Sequence, residues 1–182
     1  MTRTLFYFGM LILSVSLFAC AANDSARKQS EHKQIGSTLH SKQSLPLRDI
    51  PASALVLIKS VHPEFVPEAA EKEFKHDNVY LDVEGDLAGA EIEFDMLQTP
   101  DGWKIVEVQR DLGWSELPAP VVQELASKQP GFKPSRIIES IQHGTAITIY
   151  ELYAVDEQGV ESKAEVMLEA GAAKLLQEEW RH

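Results

Sequence analysis

Residues 51–76 are repeated as residues 118–143 at a constant offset of 67 positions, and this internal repeat constrains the fold more than any other feature of the sequence. Seven positions are identical between the two copies, where chance would give roughly one or two. The identical pairs are Pro51 and Pro118, Ala52 and Ala119, Ser60 and Ser127, Pro63 and Pro130, Phe65 and Phe132, Pro67 and Pro134, and His76 and His143. The repeat predicts a duplicated structural unit, and with it a scaffold that presents a broad surface.

Each copy opens with a predicted helix that is bounded by prolines. In the first copy Pro51 falls near the first helical position, where its missing amide hydrogen does no harm, and a His-Pro pair at 62–63 ends the helix. In the second copy Pro118 takes the equivalent place, and Gln-Pro-Gly at 129–131 breaks the helix. Apolar residues recur at helical spacing between these limits, which predicts one buried side for each helix.

After each helix the sequence alternates between apolar and polar residues, which is typical of strands with one buried and one solvated face. Four strands are predicted in each copy, near 67–76, 78–84, 90–97 and 103–109, and near 135–142, 146–154, 160–168 and 172–179. The predicted fold class is therefore α+β: two tandem helix-plus-antiparallel-meander repeats, at 49–113 and 114–182, with the helices on one face of the sheets. The sequence leaves open whether the two sheets join edge to edge.

Three short motifs of the second copy, Leu-Pro-Ala at 117–119, Pro-Gly-Phe at 130–132 and Tyr-Glu-Leu at 150–152, resemble those of a PepSY-like domain. Two such units in tandem are similar in layout to the beta-lactamase-inhibitor protein fold, and the resemblance covers about residues 49–182. It implies a non-enzymatic protein of the cell envelope that binds or restrains another protein, with peptidases among the partners. It implies no particular binding residues, because the shared pattern is structural.

The first twenty residues have the features of a targeting segment. A basic residue at position 3 is followed by an apolar run over 5–17 that is too short to span a bilayer comfortably, and the run leads to Leu-Phe-Ala-Cys. Residues 1–19 thus resemble a bacterial lipoprotein signal peptide, with Cys20 as the site of lipid attachment. In that family an aspartate after the cysteine retains the protein at the inner membrane, so Ala21 favours the outer membrane, facing the periplasm. Secretory cleavage after Ala21 is the alternative, and it would remove the only cysteine.

Charge divides the rest of the chain into two parts. Residues 20–48 are predicted to be a lipidated N-terminus and disordered tether, because they are polar and lack any hydrophobic period. Their net positive charge fits a solvated linker or a segment attracted to anionic lipid headgroups. Residues 49–182 hold 11 lysine and arginine residues against 26 aspartate and glutamate residues, a net charge of −15. That balance argues against nucleic-acid binding and suits a protein partner with a basic surface.

Five carboxylates form the candidate partner-binding face. Asp82 and Glu84 share one side of a predicted strand, and Glu91, Glu93 and Asp95 share one side of the next. If the two strands pair as a hairpin, all five lie on the same side of the sheet. Like charges opposite each other repel. The interpretations are a solvated face without function, a docking surface for a cationic protein segment, or a calcium site.

No sequence motif indicates a catalytic residue, a cofactor or a metal site. There is no nucleophile elbow and no phosphate-binding glycine loop, and His76 and His143, at equivalent positions, lack the ligand spacing of a known metal site. The predicted function is binding to another envelope protein, with inhibition or modulation of that protein. The alternatives are a structural or assembly subunit of an outer-membrane complex, and a small hydrolase. A pocket that holds two close carboxylates with raised pKa would indicate the hydrolase.

Overall fold

The computed structural model of the protein describes residues 41–182, which form one nine-stranded antiparallel sheet and two helices. The strands are β1 (Ser41–Ser44), β2 (Val66–Lys75), β3 (Asn78–Leu87), β4 (Ala90–Thr99), β5 (Gly102–Asp111), β6 (Arg136–Gln142), β7 (Ile147–Val155), β8 (Glu161–Glu169) and β9 (Ala172–Leu175). Helix α1 (Ala52–Val61) lies between β1 and β2 in the chain, and α2 (Ala119–Lys128) lies between β5 and β6. Each strand pairs with its neighbours in sequence, so the order in the sheet is β1 to β9. Neither helix of this region is long and apolar enough to cross a membrane.

The predicted architecture of two tandem helix-plus-meander repeats is wrong, because all nine strands belong to one continuous sheet. The decisive contact is the pairing of β5 with β6, which runs from Glu107 opposite Gln142 to Asp111 opposite Ile138. Each of the eight predicted strands overlaps a strand of the structure. The error lies in how the strands are grouped, since the predicted boundary at 113/114 separates two parts of a single sheet.

The first strand lies inside the segment that was predicted to be a disordered tether. Ser41–Ser44 pairs with β2 over Glu71 to Phe74, and the amide of Leu45 donates to the carbonyl of Ala70 at 2.8 Å. Four polar residues give no apolar alternation, so the sequence offers no strand signal here and the strand depends on pairing with β2. Residues 20–40 of the predicted tether, with Cys20, and the predicted signal peptide at 1–19 lie outside the described residues.

Both helices pack on one face of the sheet, the helix-bearing face. Helix α1 buries Ala54 and Ile58, and α2 buries Val121 and Leu125, at the helical spacing that the sequence predicts. The register continues this face across the junction, where Val108 of β5 lies opposite Ile141. The strands add further buried apolar side chains, which include Leu81, Val83, Phe94, Met96, Ile105, Ile137, Leu152 and Val166. Most apolar burial, and therefore most hydrophobic stabilisation, lies on this face.

Gly85 lies within β3 of the β3–β4 hairpin, which carries the five candidate carboxylates. The sequence predicts a strand that ends at 84, but β3 continues to Leu87. A Cβ on Gly85 would lie 2.0 Å from the carbonyl oxygen of Val66 and 2.8 Å from the ring of Phe65. The glycine therefore allows β2 and Phe65 to lie against the strand. The turn follows at Ala88 and Gly89, whose φ angles of 56° and 90° suit a tight two-residue hairpin.

Candidate functional site

The opposite face of the sheet, the polar face, carries a row of carboxylates across four adjacent strands. Cross-strand pairing places Glu71 of β2 opposite Asp82 of β3, Asp82 opposite Asp95 of β4, and Asp95 opposite Glu107 of β5. We call these four residues the acidic row. Directly opposed side chains have Cβ atoms about 4.5–5.5 Å apart, so the row brings like charges close together. Gln142 of β6 lies opposite Glu107 and ends the row.

The structure brings the five sequence-predicted residues together on this face. Asp82 lies opposite Asp95, Glu84 lies opposite Glu93, and Glu91 is next along β4 from Glu93 on the same side. Asp82 is buried, Glu91 is exposed, and the other three are partly exposed. Their role in partner binding stays a prediction.

The sequence analysis did not identify Glu107, a carboxylate of the row that contacts Gln109, Ser140 and His182. Met96 lies opposite Ile105, whereas Asp95 lies opposite Glu107, so β5 contains one extra residue at this point. This β-bulge returns Glu107 to the polar face, although simple alternation would place it on the same side as Ile105. No sequence signal for the bulge is present, because it does not require glycine.

Burial and neighbouring negative charge raise the pKa values of both Asp82 and Asp95. Burial, followed by the charge of Glu93, raises the pKa of Asp82 to about 7, although Lys42 lies 3.5 Å away and opposes the shift. Burial, followed by the charges of Asp82 and Glu93, raises the pKa of Asp95 well above its ordinary value. One oxygen of Asp95, Oδ2, accepts a hydrogen bond from Gln109 at 2.9 Å. The other, Oδ1, is buried and has no hydrogen-bond partner in the described part of the chain.

The pKa of Glu107, unlike that of Asp82 and Asp95, is lowered. Burial alone would raise its pKa, but hydrogen bonds from His182 and Ser140 outweigh burial and lower the pKa of Glu107 to about 2. The Ser140 hydroxyl donates to Oε2 at 2.6 Å, and Gln109 Nε2 donates to the same oxygen at 2.7 Å. The imidazole Nε2 of His182 lies 2.6 Å from Oε1. A buried carboxylate with this many donors is stabilised in its charged form.

The segment Leu176–His182, which we call the return segment, leaves the sheet after β9 and covers part of the polar face. Its Trp180 donates twice: the backbone N–H to Glu165 Oε2 and the indole Nε1–H to Gln142 Oε1, both at 2.7 Å. Its Glu179 accepts a hydrogen bond from Lys75 at 2.9 Å. The sequence predicts a strand to residue 179, whereas β9 ends at Leu175. The predicted strand is therefore wrong over its last four residues.

The sequence-predicted carboxylates line two cavities of the polar face. One of about 100 Å³ is enclosed between the acidic row and the return segment, and its lining includes Asp82, Asp95 and Glu107. A larger one of about 250 Å³ is lined by Glu84, Glu91 and Glu93 together with Arg110 and Arg136. Burial, followed by the charge of Glu91, raises the pKa of Glu84. The exposed part of the candidate face is therefore the mouth of the larger cavity.

The arginines of this larger cavity are already paired. Arg110 Nε lies 2.6 Å from Glu139 Oε2, and Arg136 Nε lies 3.2 Å from Asp111 Oδ1. Within residues 41–182, no three His, Cys, Asp or Glu side chains are arranged so that they could hold a metal ion together, and this includes the acidic row.

No family model matches the chain, and no curated protein matches it. The resemblance to PepSY-like domains therefore remains a prediction from the three short motifs of the second copy.

Proposed function

We propose that the protein is a non-enzymatic, lipid-anchored lipoprotein of the bacterial envelope that binds another envelope protein through its polar face and inhibits or modulates it. The observation that carries the proposal is the crowding of carboxylates on the polar face, where Glu84 lies directly opposite Glu93 at the open cavity and the acidic row runs beside them. Directly opposed like charges lower the stability of a sheet. Folded chains retain such unfavourable arrangements chiefly at functional sites.

The partner that suits this surface is cationic. Residues 49–182 have a net charge of −15, and the carboxylates of Glu84, Glu91 and Glu93 line an open cavity on the polar face. Opposite charge across an interface accelerates encounter and suppresses wrong partners. A basic segment of an envelope protein would replace the repulsion among these carboxylates with attraction.

The hydrolase alternative has one observation in its favour. Asp82 and Asp95 are directly opposed, both have a raised pKa, and both line one cavity. Such a pair suits acid–base chemistry. Its cavity of about 100 Å³ is much smaller than the roughly 300–1,000 Å³ of ordinary ligand pockets. We therefore favour protein binding over hydrolysis.

Affinity capture from envelope extracts tests the proposal. The bait is the full chain, compared with a face variant that carries Glu84→Gln, Glu91→Gln and Glu93→Gln. A matched control carries Glu64→Gln, Asp101→Asn and Glu157→Gln, which remove the same charge from exposed turns. We expect the unchanged chain and the control to recover one basic envelope protein, and the face variant to recover about tenfold less, because a loss of about 1.4 kcal/mol in binding free energy is tenfold in affinity. Equal recovery by the two variants, or repeated recovery of nothing, would contradict the proposal.

A further inference from the structure

The groups that receive the return segment are positioned by the sheet itself. Gln142 Nε2 donates to Ser140 Oγ at 2.9 Å, and Ser140 Oγ donates to Glu107 Oε2 at 2.6 Å. All three side chains are buried, with Glu107 only 6% exposed. These two hydrogen bonds leave Gln142 Oε1 and Glu107 Oε1 free to accept hydrogen bonds from the return segment. The acceptors therefore form a site that does not need the segment for its geometry, and such preorganisation lowers the cost of binding.

The return segment is attached to this site through hydrogen bonds, ion pairs and one ring contact, in which the centroids of His182 and Tyr80 lie 6.2 Å apart. Trp180 is its only Phe, Trp or Tyr residue, and five of the other residues, at 177–179 and 181–182, are exposed. Each of its hydrogen bonds contributes about 1 kcal/mol to stability. Segments with little apolar burial open locally at low free-energy cost. The segment can therefore leave the site while the sheet stays folded.

The site also has an acceptor that the return segment does not satisfy. Asp95 Oδ1 is buried, has no hydrogen-bond partner among residues 41–182, and belongs to a residue that lines the cavity beneath Trp180 and His182. A longer cationic side chain that entered this cavity would reach the Oδ1 atom of Asp95, which the return segment leaves without a hydrogen bond. A partner segment could thus bind more tightly than the return segment does.

We propose that this part of the polar face is a peptide-binding site that the chain's own return segment occupies, and that the envelope partner binds by displacing it with an extended segment of the same chemistry, an aromatic N–H donor next to cationic side chains. The inference rests on the proposed function and specifies the partner's chemistry at the same surface. Because the return segment is joined to the sheet by a short connection, its effective concentration at the site is on the order of millimolar. It therefore acts as an intramolecular competitor of the partner.

A peptide-binding assay tests the site without any envelope partner. The probe is a fluorophore-labelled synthetic peptide with the sequence of residues 176–182, and its anisotropy is measured against the full chain and against a chain that lacks residues 177–182. We expect saturable binding to the shortened chain and binding at least tenfold weaker to the full chain. In the shortened chain, Glu107→Gln should weaken peptide binding about tenfold, and Glu157→Gln, in an exposed turn, should leave it unchanged. Absence of saturable binding to the folded shortened chain, or equal binding to both chains, overturns the proposal.

A second variant covers the case in which the shortened chain does not fold. Trp180→Ala combined with His182→Ala in the full-length chain removes the indole and imidazole contacts without shortening the protein. This variant should bind the labelled peptide at least tenfold more tightly than the unchanged chain does. Peptide binding that is no tighter overturns the proposal.

Capture from envelope extracts separates the failure of this inference from the failure of the proposed function. If the partner and the return segment compete, the shortened chain recovers the partner about tenfold better than the full chain. Recovery that is equal for the two chains shows that the partner does not use this site, and the inference fails while the proposed function stands. If the shortened chain binds the peptide but neither chain recovers a protein, the proposed function fails. The claim that a partner displaces the return segment then fails as well.

Discussion

The two faces of the sheet differ in what the folded chain gains from them. On the helix-bearing face, apolar side chains from both helices and from the strands are buried together, and each burial lowers the free energy of the folded state. On the polar face, the acidic row buries carboxylates beside one another under a segment of seven residues. Buried charge destabilises a fold unless it is paired. The difference teaches that most of the stability comes from the helix-bearing face, whereas the polar face, which we propose as the binding surface, carries groups whose burial is costly.

The largest expected effect lies on the helix-bearing face, at Phe94. This side chain is fully buried and meets the Phe65 ring edge to face, with the centroids 4.8 Å apart. Phe94→Ala should lower the free energy of unfolding by about 4 kcal/mol, because it removes apolar contacts and leaves a cavity. Urea unfolding measures the change. Val56→Ala on α1, a site that is 68% exposed, is the matched control and should shift stability by less than about 0.5 kcal/mol. A loss below about 1 kcal/mol at Phe94 would mean that this face does not carry the stability of the fold.

The next effect lies on the polar face, where Glu107→Gln should lower the free energy of unfolding by about 2 kcal/mol at pH 7, because the hydrogen bonds that Glu107 accepts favour a charge. The pKa of Glu107 is lowered to about 2 from an ordinary value of 4.5. The stabilisation is therefore complete above pH 4.5 and is lost as the pH falls through about 2. Unfolding at several pH values measures it, with Glu157→Gln as a control that changes the same charge in an exposed turn. If the difference in unfolding free energy between Glu107→Gln and the unchanged chain stays the same as the pH falls toward 2, Glu107 is not a buried ionised carboxylate.

The contrast between the faces also explains what the sequence could predict. Helix stripes and strand alternation depend on local residues, and they predicted both helices and eight of the strands. Pairing between β5 and β6 depends on residues distant in sequence, such as Glu107 and Gln142. Periodicity does not identify the partner of a strand, so the sequence could not show that the strands form one sheet. Two predicted units were therefore a reasonable reading of the repeat and a wrong description of the fold.

The candidate site was predicted in part for the same reason. Asp82, Glu84, Glu91, Glu93 and Asp95 belong to one hairpin, whose register follows from alternation and a short turn. Glu107 was missed because a β-bulge reverses the alternation of β5. The return segment was missed because the strand prediction was extended over polar residues. Those residues leave the sheet to contact side chains of other strands.

The smallest expected effect has the opposite sign, and it lies two strands away from Glu107 in the same row. Asp82→Asn should raise the free energy of unfolding by about 1 kcal/mol at pH 8. Each unit by which a pKa is raised corresponds to about 1.4 kcal/mol, but the substitution leaves a polar amide buried beside Asp95, so it recovers only part of this energy. The pKa of Asp82 is raised to about 7 from an ordinary value of 3.8. The folded chain therefore keeps a proton between these two pH values that the unfolded chain releases.

It follows that the stability of the unchanged chain should fall as the pH rises from about 4 to about 7, and that Asp82→Asn should lessen this fall. Thermal unfolding of both chains at pH 5 and at pH 8 measures the difference. The substitution also removes the ion pair with Lys42, which keeps Glu71 as a partner at 2.7 Å, so Lys42 is not left as an isolated charge. Asp101→Asn, in an exposed turn, is the control and should give no dependence of this kind. If Asp82→Asn instead destabilises the chain at pH 8, then Asp82 is an ion-pair partner whose charge the fold requires, and the polar face stabilises the protein more than its repulsions indicate.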